Sequence, residues 1–187
     1  SFMKKLLLLI SVALLSGSVV AQSVREEMKQ NINVAGSNYL AYPAPQKALT
    51  AAPEGKTPFY ISHYGRHGSR YMLNPFDYKS PLMRLTEAYE KGKLTALGVD
   101  VMHRLEAMTA ESNNRSGELT PLGARQHKEI ANRMFNRFPE VFDGNVHVDG
   151  KSTTVIRCIL SMENFLQELL RLNPKLEITH DASNHDL

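Results

Sequence analysis

The sequence predicts an α/β domain, because short segments of strand length alternate with longer segments of helical periodicity. The strand candidates are Phe59–Ser62, Val146–Val148 and Glu177–His180, each short enough for a buried strand. The segments between them carry apolar residues at the three- and four-residue spacing of helices. Hydrophobic residues make up 42% of the 187 residues, which is enough for the core of one ordinary domain.

The first 21 residues have the features of a secretory signal peptide. Two lysines follow Met3, residues 6–15 are apolar, and small residues continue to Ala21, which is the order found in such signals. We therefore expect cleavage after Ala21 and an exported protein, either periplasmic or secreted. The apolar stretch is too short for a stable membrane span, and we interpret Ser1-Phe2 as extraneous.

Charge and composition do not favour a nucleic-acid partner. The formal net charge is +3, but residues 1–21 hold two lysines and no acidic residue, so the remainder has 20 basic and 19 acidic residues, or +1. Tryptophan is absent and no basic stripe is interleaved with aromatic residues. The apparent basicity therefore belongs mainly to the signal peptide.

Residues 22–57 are predicted to form an extended N-terminal lead, and residues 58–187 the α/β domain. The lead contains Pro43, Pro45 and Pro53 and has weak periodicity, which is typical of irregular chain. Within the domain, Phe59–Ser62 is the first predicted strand. It is followed by a predicted loop over Tyr71–Ser80.

Helix signals are clear in the rest of the domain. The first helix is predicted to start at Pro81 and to stop near Gly92, and the second to start near Thr95 with an apolar face. Thr120 is the expected N-cap of the third helix, which Pro139 closes. The fourth is expected to start from a cap at Ser152 or Thr153 and to reach Leu172. This fourth helix follows the predicted strand Val146–Val148. The predicted apolar face of the second helix is Leu97, Val101, Leu105 and Met108, and that of the third helix is Leu122, Ile130, Met134 and Phe138.

The chemistry of the chain is concentrated where the first predicted strand ends. Arg66-His67-Gly68-Ser69-Arg70 places an imidazole between two guanidinium groups. Two cations side by side are costly to bury unless an anion joins them, and each guanidinium matches the oxygens of a phosphate. Ligands of open α/β sheets bind at the carboxyl ends of strands. The segment therefore predicts a phosphoryl ligand and a neutral His67 with one nucleophilic ring nitrogen.

Three segments together resemble a known family. They are Ile61–Tyr71, Gly117–Gln126 and Ser152–Met162. In order and spacing they are similar to the histidine phosphatase superfamily, in its acid phosphatase and phytase branch, and most of all to the multiple inositol-polyphosphate phosphatase group. The resemblance implies a three-layer α/β sandwich of the phosphoglycerate mutase type, with a mostly parallel sheet flanked by helices.

The resemblance also implies the roles of four residues. His67 would be the nucleophile that forms a phosphohistidine, and Arg66, Arg70 and Arg157 would bind the phosphate. The substrate would be a small phosphate ester, such as the inositol polyphosphate phytate, and no metal or other cofactor would be needed. The segment Leu119–Gln126 is assigned to architecture as a helix start, Glu118 is left out of catalysis, and His63 is given a stacking or supporting role.

The chain departs from the family in its length. Members of this branch are about twice as long and carry a late His-Asp or His-Ala-Glu segment with the general acid. We interpret His185-Asp186 as a loop rather than this segment, so we expect an N-terminal portion of a domain that is incomplete at its C-terminus. Two alternatives remain open: a chain that binds phosphate or phosphorylated ligands without turnover, and a member of the mutase branch, against which the signal peptide argues.

Overall fold

The computed structural model describes residues 24–43 and 45–185, and these residues have an α/β arrangement. The predicted signal peptide over residues 1–21 lies outside the described residues, as do Asp186 and Leu187. No helix among the described residues is long and apolar enough to cross a membrane.

The chain divides after Ala48 into two compact units. In the first, residues 24–30 form an α-helix and Ile32–Tyr39 a 3₁₀ helix, so the extended conformation predicted for this part of the lead is wrong. The reason is local, because residues 24–30 include glutamate, methionine, lysine and glutamine, which favour helices, and every proline of the lead lies further along. The predicted domain boundary before residue 58 stays a prediction.

In the second unit, the first two helices form a hairpin. Helix α1 spans Phe76–Glu90 and helix α2 spans Ala96–Glu111, and they pack on each other. Helix α1 begins five residues before the predicted start at Pro81, because the Asn74 side chain accepts a hydrogen bond from the Phe76 N–H and Pro75 fixes the first turn. Pro81 therefore lies inside the helix, where it removes one backbone hydrogen-bond donor.

The predicted apolar face of α2 is largely uncovered. Leu97 is 71% exposed and Met108 is 51% exposed, whereas Met102, one residue beyond Val101 of the predicted face, is buried. The start of α2 agrees with the sequence, since the Thr95 hydroxyl accepts a hydrogen bond from the Gly98 N–H. Helical periodicity thus located the helix but not the side that it buries.

Two further helices and two strands form the core of the second unit. Helix α3 spans Pro121–Arg137 and helix α4 spans Ile156–Leu172, and these two pack on each other. Strand β1 covers His147–Ser152 and strand β2 covers Glu177–Ala182; they pair in parallel with His147 opposite Glu177 and Ser152 opposite Ala182. The buried core consists of Ala131, Phe142, Leu169 and Leu176.

The predicted cap of the fourth helix is wrong. Helix α4 begins at Ile156 after Val155, and no side chain caps it. The Thr153 hydroxyl instead accepts a weak hydrogen bond of 3.4 Å from the Val155 N–H, which holds the intervening residues in a turn. The helix start therefore falls two or three residues later than the sequence suggests, and Arg157 is its second residue.

The predicted first strand at Phe59–Ser62 has no strand partner among the described residues. This segment and β1 both line a cavity of about 640 Å³, the segment through residues 59–61 and 63–67 and β1 with its neighbours through residues 146–153. The two backbones are therefore not hydrogen-bonded to each other. Phe59 is 91% exposed and Tyr60 is 73% exposed, so the buried strand predicted here is wrong for the described residues.

The N-terminus of α3 is tied to the chain around residue 69. The Thr120 hydroxyl accepts a hydrogen bond from the Gly123 N–H at 3.1 Å and donates one to the Ser69 carbonyl at 2.8 Å. The Thr120 N–H donates to the same carbonyl at 2.9 Å. Thr120 therefore caps α3 and at the same time ties the start of this helix to Ser69.

We expect Thr120→Ala to lower the free energy of unfolding by about 2 kcal/mol, and Thr95→Ala by about 1 kcal/mol. Each change removes a helix cap. Thr120→Ala also removes the hydrogen bond from the hydroxyl to the Ser69 carbonyl, so its loss of stability is larger by roughly the energy of one hydrogen bond. Urea unfolding of both variants measures the difference. Equal losses would show that the bond to Ser69 contributes nothing to stability.

Candidate active site

The segment after His67 lies against the segment that leads into α3. Arg70 and Leu119 form an isolated antiparallel bridge, the Tyr71 N–H donates to the Glu118 carbonyl at 3.0 Å, and the Gly117 N–H donates to the Met72 carbonyl at 3.1 Å. Two of the three segments that carry the resemblance are therefore adjacent in space, although about 50 residues separate them. Glu118 contributes its backbone carbonyl to this contact.

Gly68 and Gly123 bring the two segments into backbone contact. A Cβ on Gly68 would lie 2.7 Å from the Gly123 Cα, and a Cβ on Gly123 would lie 2.8 Å from the Ser69 nitrogen. Real Cβ atoms do not approach backbone so closely, so neither position accepts a side chain without a shift of the chain. The close packing places the first turn of α3 directly behind the His67 loop.

Two buried side chains hold the backbone of this loop. The Gly68 N–H donates to the Ser161 hydroxyl at 3.0 Å, and the Ser69 N–H donates to the Gln126 side-chain carbonyl at 2.8 Å. Ser161 is 3% exposed and Gln126 is 6% exposed. Sequence reasoning missed both. The available signal was a polar residue on the buried face of a helix, since Gln126 lies one turn from Gly123 and Ser161 one turn from Arg157.

The buried face of α3 also differs from the predicted stripe. Its buried residues are Gly123, Gln126, His127 and Ala131, whereas Leu122 of the predicted stripe is 41% exposed. The helix turns its small and polar residues toward the His67 loop because that loop offers backbone donors and leaves no room for larger side chains. The contact with the His67 loop at the start of α3 therefore displaces the buried face from the predicted apolar stripe.

His67 is held in one tautomer by a backbone carbonyl. Its Nδ1 lies 2.8 Å from the Gly68 oxygen, and because a carbonyl can only accept, Nδ1 carries the proton. The lone pair of the neutral ring is therefore on Nε2. Burial lowers the pKa of His67, and the positive charges of Arg157, Arg66 and Arg70 lower it further, while the bond to Gly68 acts in the opposite direction.

The four predicted site residues lie together. Arg157, from the second position of α4, acts electrostatically on His67 together with Arg66 and Arg70, and its Nη1 lies 3.5 Å from the place where Gly117 would carry a Cβ. Arg70 donates through Nη1 to the Tyr71 carbonyl at 2.9 Å. The Nε atoms of Arg70 and Arg157 are buried without a hydrogen-bond partner among the described residues. This geometry suits an anion with several oxygens, although the catalytic and binding roles stay predictions.

The cavity described above is next to this arginine cluster rather than inside it. Its lining includes Arg66 and His67 but neither Arg70 nor Arg157. The arginine cluster and the cavity are therefore different spaces that meet at Arg66 and His67. A ligand that lay among the arginines could extend past the His67 ring into the cavity.

Two other histidines surround the loop. The His63 ring stacks on Phe165 with centroids 5.2 Å apart and planes 5° apart, which confirms its expected stacking role. His127 is buried and hydrogen-bonded to the backbone of Arg66. Burial lowers the pKa of His63 and of His127, and for His127 the neighbouring His63 and His67 lower it further.

The arrangement of potential metal ligands in the described part of the chain does not form a cluster. Within residues 24–43 and 45–185, no three His, Cys, Asp or Glu side chains are grouped so that they could hold a metal ion. The histidines near the loop are engaged by Gly68, Phe165 and Arg66. The expectation that no metal takes part stays a prediction.

The hairpin of α1 and α2 is anchored to the chain just after the loop. The Tyr71 hydroxyl donates to the Glu111 carboxylate at 2.6 Å and accepts from Arg115 at 2.8 Å. The Met72 N–H donates to the Tyr78 hydroxyl at 2.9 Å. Both helices of the hairpin are thereby fixed relative to Arg70.

The described fold is similar to solved structures of the multiple inositol polyphosphate phosphatase from Bifidobacterium longum. Its complex with phosphate and its apo form each match with a TM-score of 0.55, and its complex with inositol hexasulfate matches with a TM-score of 0.52. Sequence identity is 28% in each case, and each match covers 72% of this chain and 29% of the other. The chain thus spans less than a third of the length of these neighbours. No protein-family model and no curated protein matches the sequence.

These neighbours confirm the resemblance and the fold class that the sequence predicts. They are histidine phosphatases in fold, and the second unit of this chain has the corresponding helices and parallel strands.

We expect Gly123→Ala to destabilise the protein by about 1–3 kcal/mol, because the new methyl group meets the backbone of Ser69. Gly98→Ala is the matched control: Gly98 is also the third residue of a helix and also bonds to a capping threonine. At Gly98 the nearest atom is a flexible end of Leu94, so alanine should cost less than about 0.5 kcal/mol or stabilise the helix. Thermal or urea unfolding checks both, and equal effects would contradict the close backbone contact.

We expect the free energy of unfolding to fall as the pH decreases from about 7.5 to 5.5. The unfolded chain protonates its histidines near pH 6.5, whereas the native fold keeps His63, His67 and His127 neutral to lower pH. The stability present above pH 6.5 is therefore lost as the pH falls through the lowered native pKa values. Urea midpoints across this range measure the slope, and His127→Gln should reduce it. A midpoint that rises on acidification would contradict the expectation.

Proposed function

We propose that this chain, which has the histidine phosphatase fold, hydrolyses phosphate monoesters through a phosphohistidine on His67. The observation that carries the proposal is the His67 ring, whose Nδ1 is bonded to the Gly68 carbonyl and whose Nε2 is left with the lone pair. A neutral imidazole with a fixed tautomer is a competent nucleophile. The cationic surroundings keep it neutral.

The reaction would proceed in two displacements. The Nε2 lone pair attacks phosphorus, the bond from phosphorus to the ester oxygen breaks, and the alkoxide takes a proton from solvent water and leaves as an alcohol. Water then attacks the phosphohistidine, releases inorganic phosphate and returns His67 to its neutral state. Dividing the displacement in this way is the usual advantage of covalent catalysis.

Arg66, Arg70 and Arg157 would bind the phosphoryl group in both steps. Their charges reach His67, and the buried Nε donors of Arg70 and Arg157 have no partner among the described residues. Donors that are already in place stabilise the charge on the phosphoryl oxygens without further reorganisation. This supports a pocket for a phosphoryl group held by guanidinium groups.

Inositol polyphosphates are the substrate class that we propose. The similar structures from Bifidobacterium longum are of a multiple inositol polyphosphate phosphatase, in complexes with phosphate and with inositol hexasulfate. A substrate with several phosphates suits a site where an arginine cluster adjoins an open cavity. The basic and apolar features of residues 1–21 support the further proposal that the protein is exported.

Binding without efficient turnover is a second candidate function. The charges that act on His67 are three guanidinium groups, and none of them is suited to protonate a leaving alkoxide. Loss of a general acid slows reactions of poor leaving groups by about 10²- to 10⁴-fold. The dependence of the hydrolysis rate on the leaving group of the ester therefore distinguishes hydrolysis from binding without efficient turnover.

We expect the chain to hydrolyse 4-nitrophenyl phosphate faster than inositol hexakisphosphate, because the aryl oxide leaves without protonation. His67→Ala should abolish the hydrolysis and the labelling of the protein by a ³²P-labelled aryl phosphate, while inorganic phosphate still binds in calorimetry. His103→Ala is the matched control, since His103 is exposed on α2 and bonded to Glu106.

Retention of hydrolysis by His67→Ala would remove His67 as the nucleophile. Phosphate binding without hydrolysis of either ester would favour the binding function. Equal rates on both esters would show that a general acid does act on the leaving group.

A further inference from the structure

We infer that Gln126 is a positioning residue that fixes the tautomer of His67 through the peptide unit between Gly68 and Ser69. The inference rests on the proposed function, because it concerns how the proposed nucleophile is kept ready. Gln126 contacts neither the imidazole ring nor the arginine cluster in the hydrogen bonds that the structure shows. Its effect is transmitted by one planar group.

The two polar atoms of this peptide unit are both engaged. The Ser69 N–H donates to the Gln126 side-chain oxygen at 2.8 Å, and the Gly68 carbonyl accepts from His67 Nδ1 at 2.8 Å. These atoms belong to the same peptide bond, which is trans in this structure. In a trans peptide the N–H and the C=O point in opposite directions. Gln126 on one side therefore sets the direction of the carbonyl on the other.

Such an anchor is needed because Gly68 has no side chain to restrict its backbone. Glycine has access to a wider range of φ and ψ than any other residue, and here the contact with Gly123 requires it. Without Gln126, the peptide unit could rotate and the carbonyl would leave Nδ1. The proton could then move to Nε2, and the lone pair would face away from the phosphate.

The chain of two hydrogen bonds has a fixed polarity. The Gln126 oxygen can only accept and the Gly68 oxygen can only accept, so the donors are the Ser69 N–H and His67 Nδ1–H. Hydrogen bonds that share one amide polarise each other in the same sense. The arrangement therefore favours a proton on Nδ1 over a proton on Nε2.

Ser161 is the natural comparison because it holds the neighbouring peptide unit. It accepts from the Gly68 N–H and donates to the Arg157 carbonyl at 2.7 Å. The carbonyl of that peptide unit belongs to His67 itself and makes no bond to the ring in this structure. Losing Ser161 should loosen the same loop without freeing the carbonyl that faces Nδ1.

The test measures the ¹⁵N chemical shifts of the His67 ring in the full chain without ligand, at a pH where the ring is neutral. These shifts distinguish a proton on Nδ1 from a proton on Nε2. Gln126→Met keeps the length of the side chain but removes the acceptor, and should lower the ratio of the Nδ1–H to the Nε2–H tautomer by roughly two- to tenfold, the effect of one hydrogen bond. Gln126→Glu keeps an acceptor and should retain the ratio of the unmodified chain.

Ser161→Ala should leave the tautomer ratio within about twofold of the unmodified chain, since one acceptor bond outside the ring contact is lost. If Gln126→Met does not fold, Gln126→Asn provides the same comparison, because the shorter amide is polar but cannot reach the Ser69 N–H. An unchanged ratio in the folded acceptor-deficient variant would overturn the inference. So would an equal shift in Ser161→Ala, because the cause would then be general loosening of the loop.

The proposed function is tested separately. A chain with the Nδ1–H tautomer that depends on Gln126, but without phosphohistidine formation, would contradict the proposed function and leave the positioning role standing. A chain that forms the phosphohistidine with a tautomer ratio independent of Gln126 would contradict the positioning role and leave the proposed function standing.

Discussion

The site depends on hydrogen bonds that engage the backbone of the loop after His67. Gly68 donates to Ser161, Ser69 donates to Gln126, and the Ser69 carbonyl accepts from Thr120. These partners come from the start of α3 and the first turns of α4, so two helices that pack on each other hold one loop between them. The core residues Ala131 of α3 and Leu169 of α4 join these two helices, and the parallel strands pack on α4. A loop with its polar groups satisfied in this way is rigid before any ligand arrives.

Electrostatic repulsion among the guanidinium groups near His67 opposes the stabilisation that these hydrogen bonds provide. Arg66, Arg70 and Arg157 all act on His67 with the same sign, and two of their Nε donors are buried without a partner among the described residues. Arg66 is exposed and Arg70 and Arg157 are half-buried, so solvent screens part of this repulsion, and the remainder reduces the stability of the fold. The hydrogen bonds of the loop resist this repulsion, and a bound phosphate would relieve it. The free energy that the fold gives up to hold the cations together is therefore available to ligand binding.

The sequence was sufficient to predict the fold class and a site chemistry, but not the parts that position the site. Arg66-His67-Gly68-Ser69-Arg70 alone is a short motif that can occur by chance, and its combination with the two later segments made the prediction specific. Gln126 and Ser161 are ordinary helix residues whose importance lies in which backbone N–H they meet, and that depends on the packing of α3 against α4. The helix starts at Thr95 and Thr120 followed from local rules, because a cap needs only its own first turn. The strand at Phe59–Ser62 could not be judged locally, because a strand exists only when a neighbour accepts its hydrogen bonds.

The contact between Gly68 and Gly123 has a consequence for how this site can evolve. Each glycine meets main-chain atoms of the opposite segment, so no smaller side chain elsewhere can create space for a substitution at either position. A compensating change would have to displace the start of α3 as a whole, and that displacement would separate Thr120 and Gln126 from Ser69. A second mutation that shortens a neighbouring side chain therefore cannot compensate for a substitution at either glycine. Variation in a lineage carrying this site should accumulate around the pair and leave the pair itself unchanged.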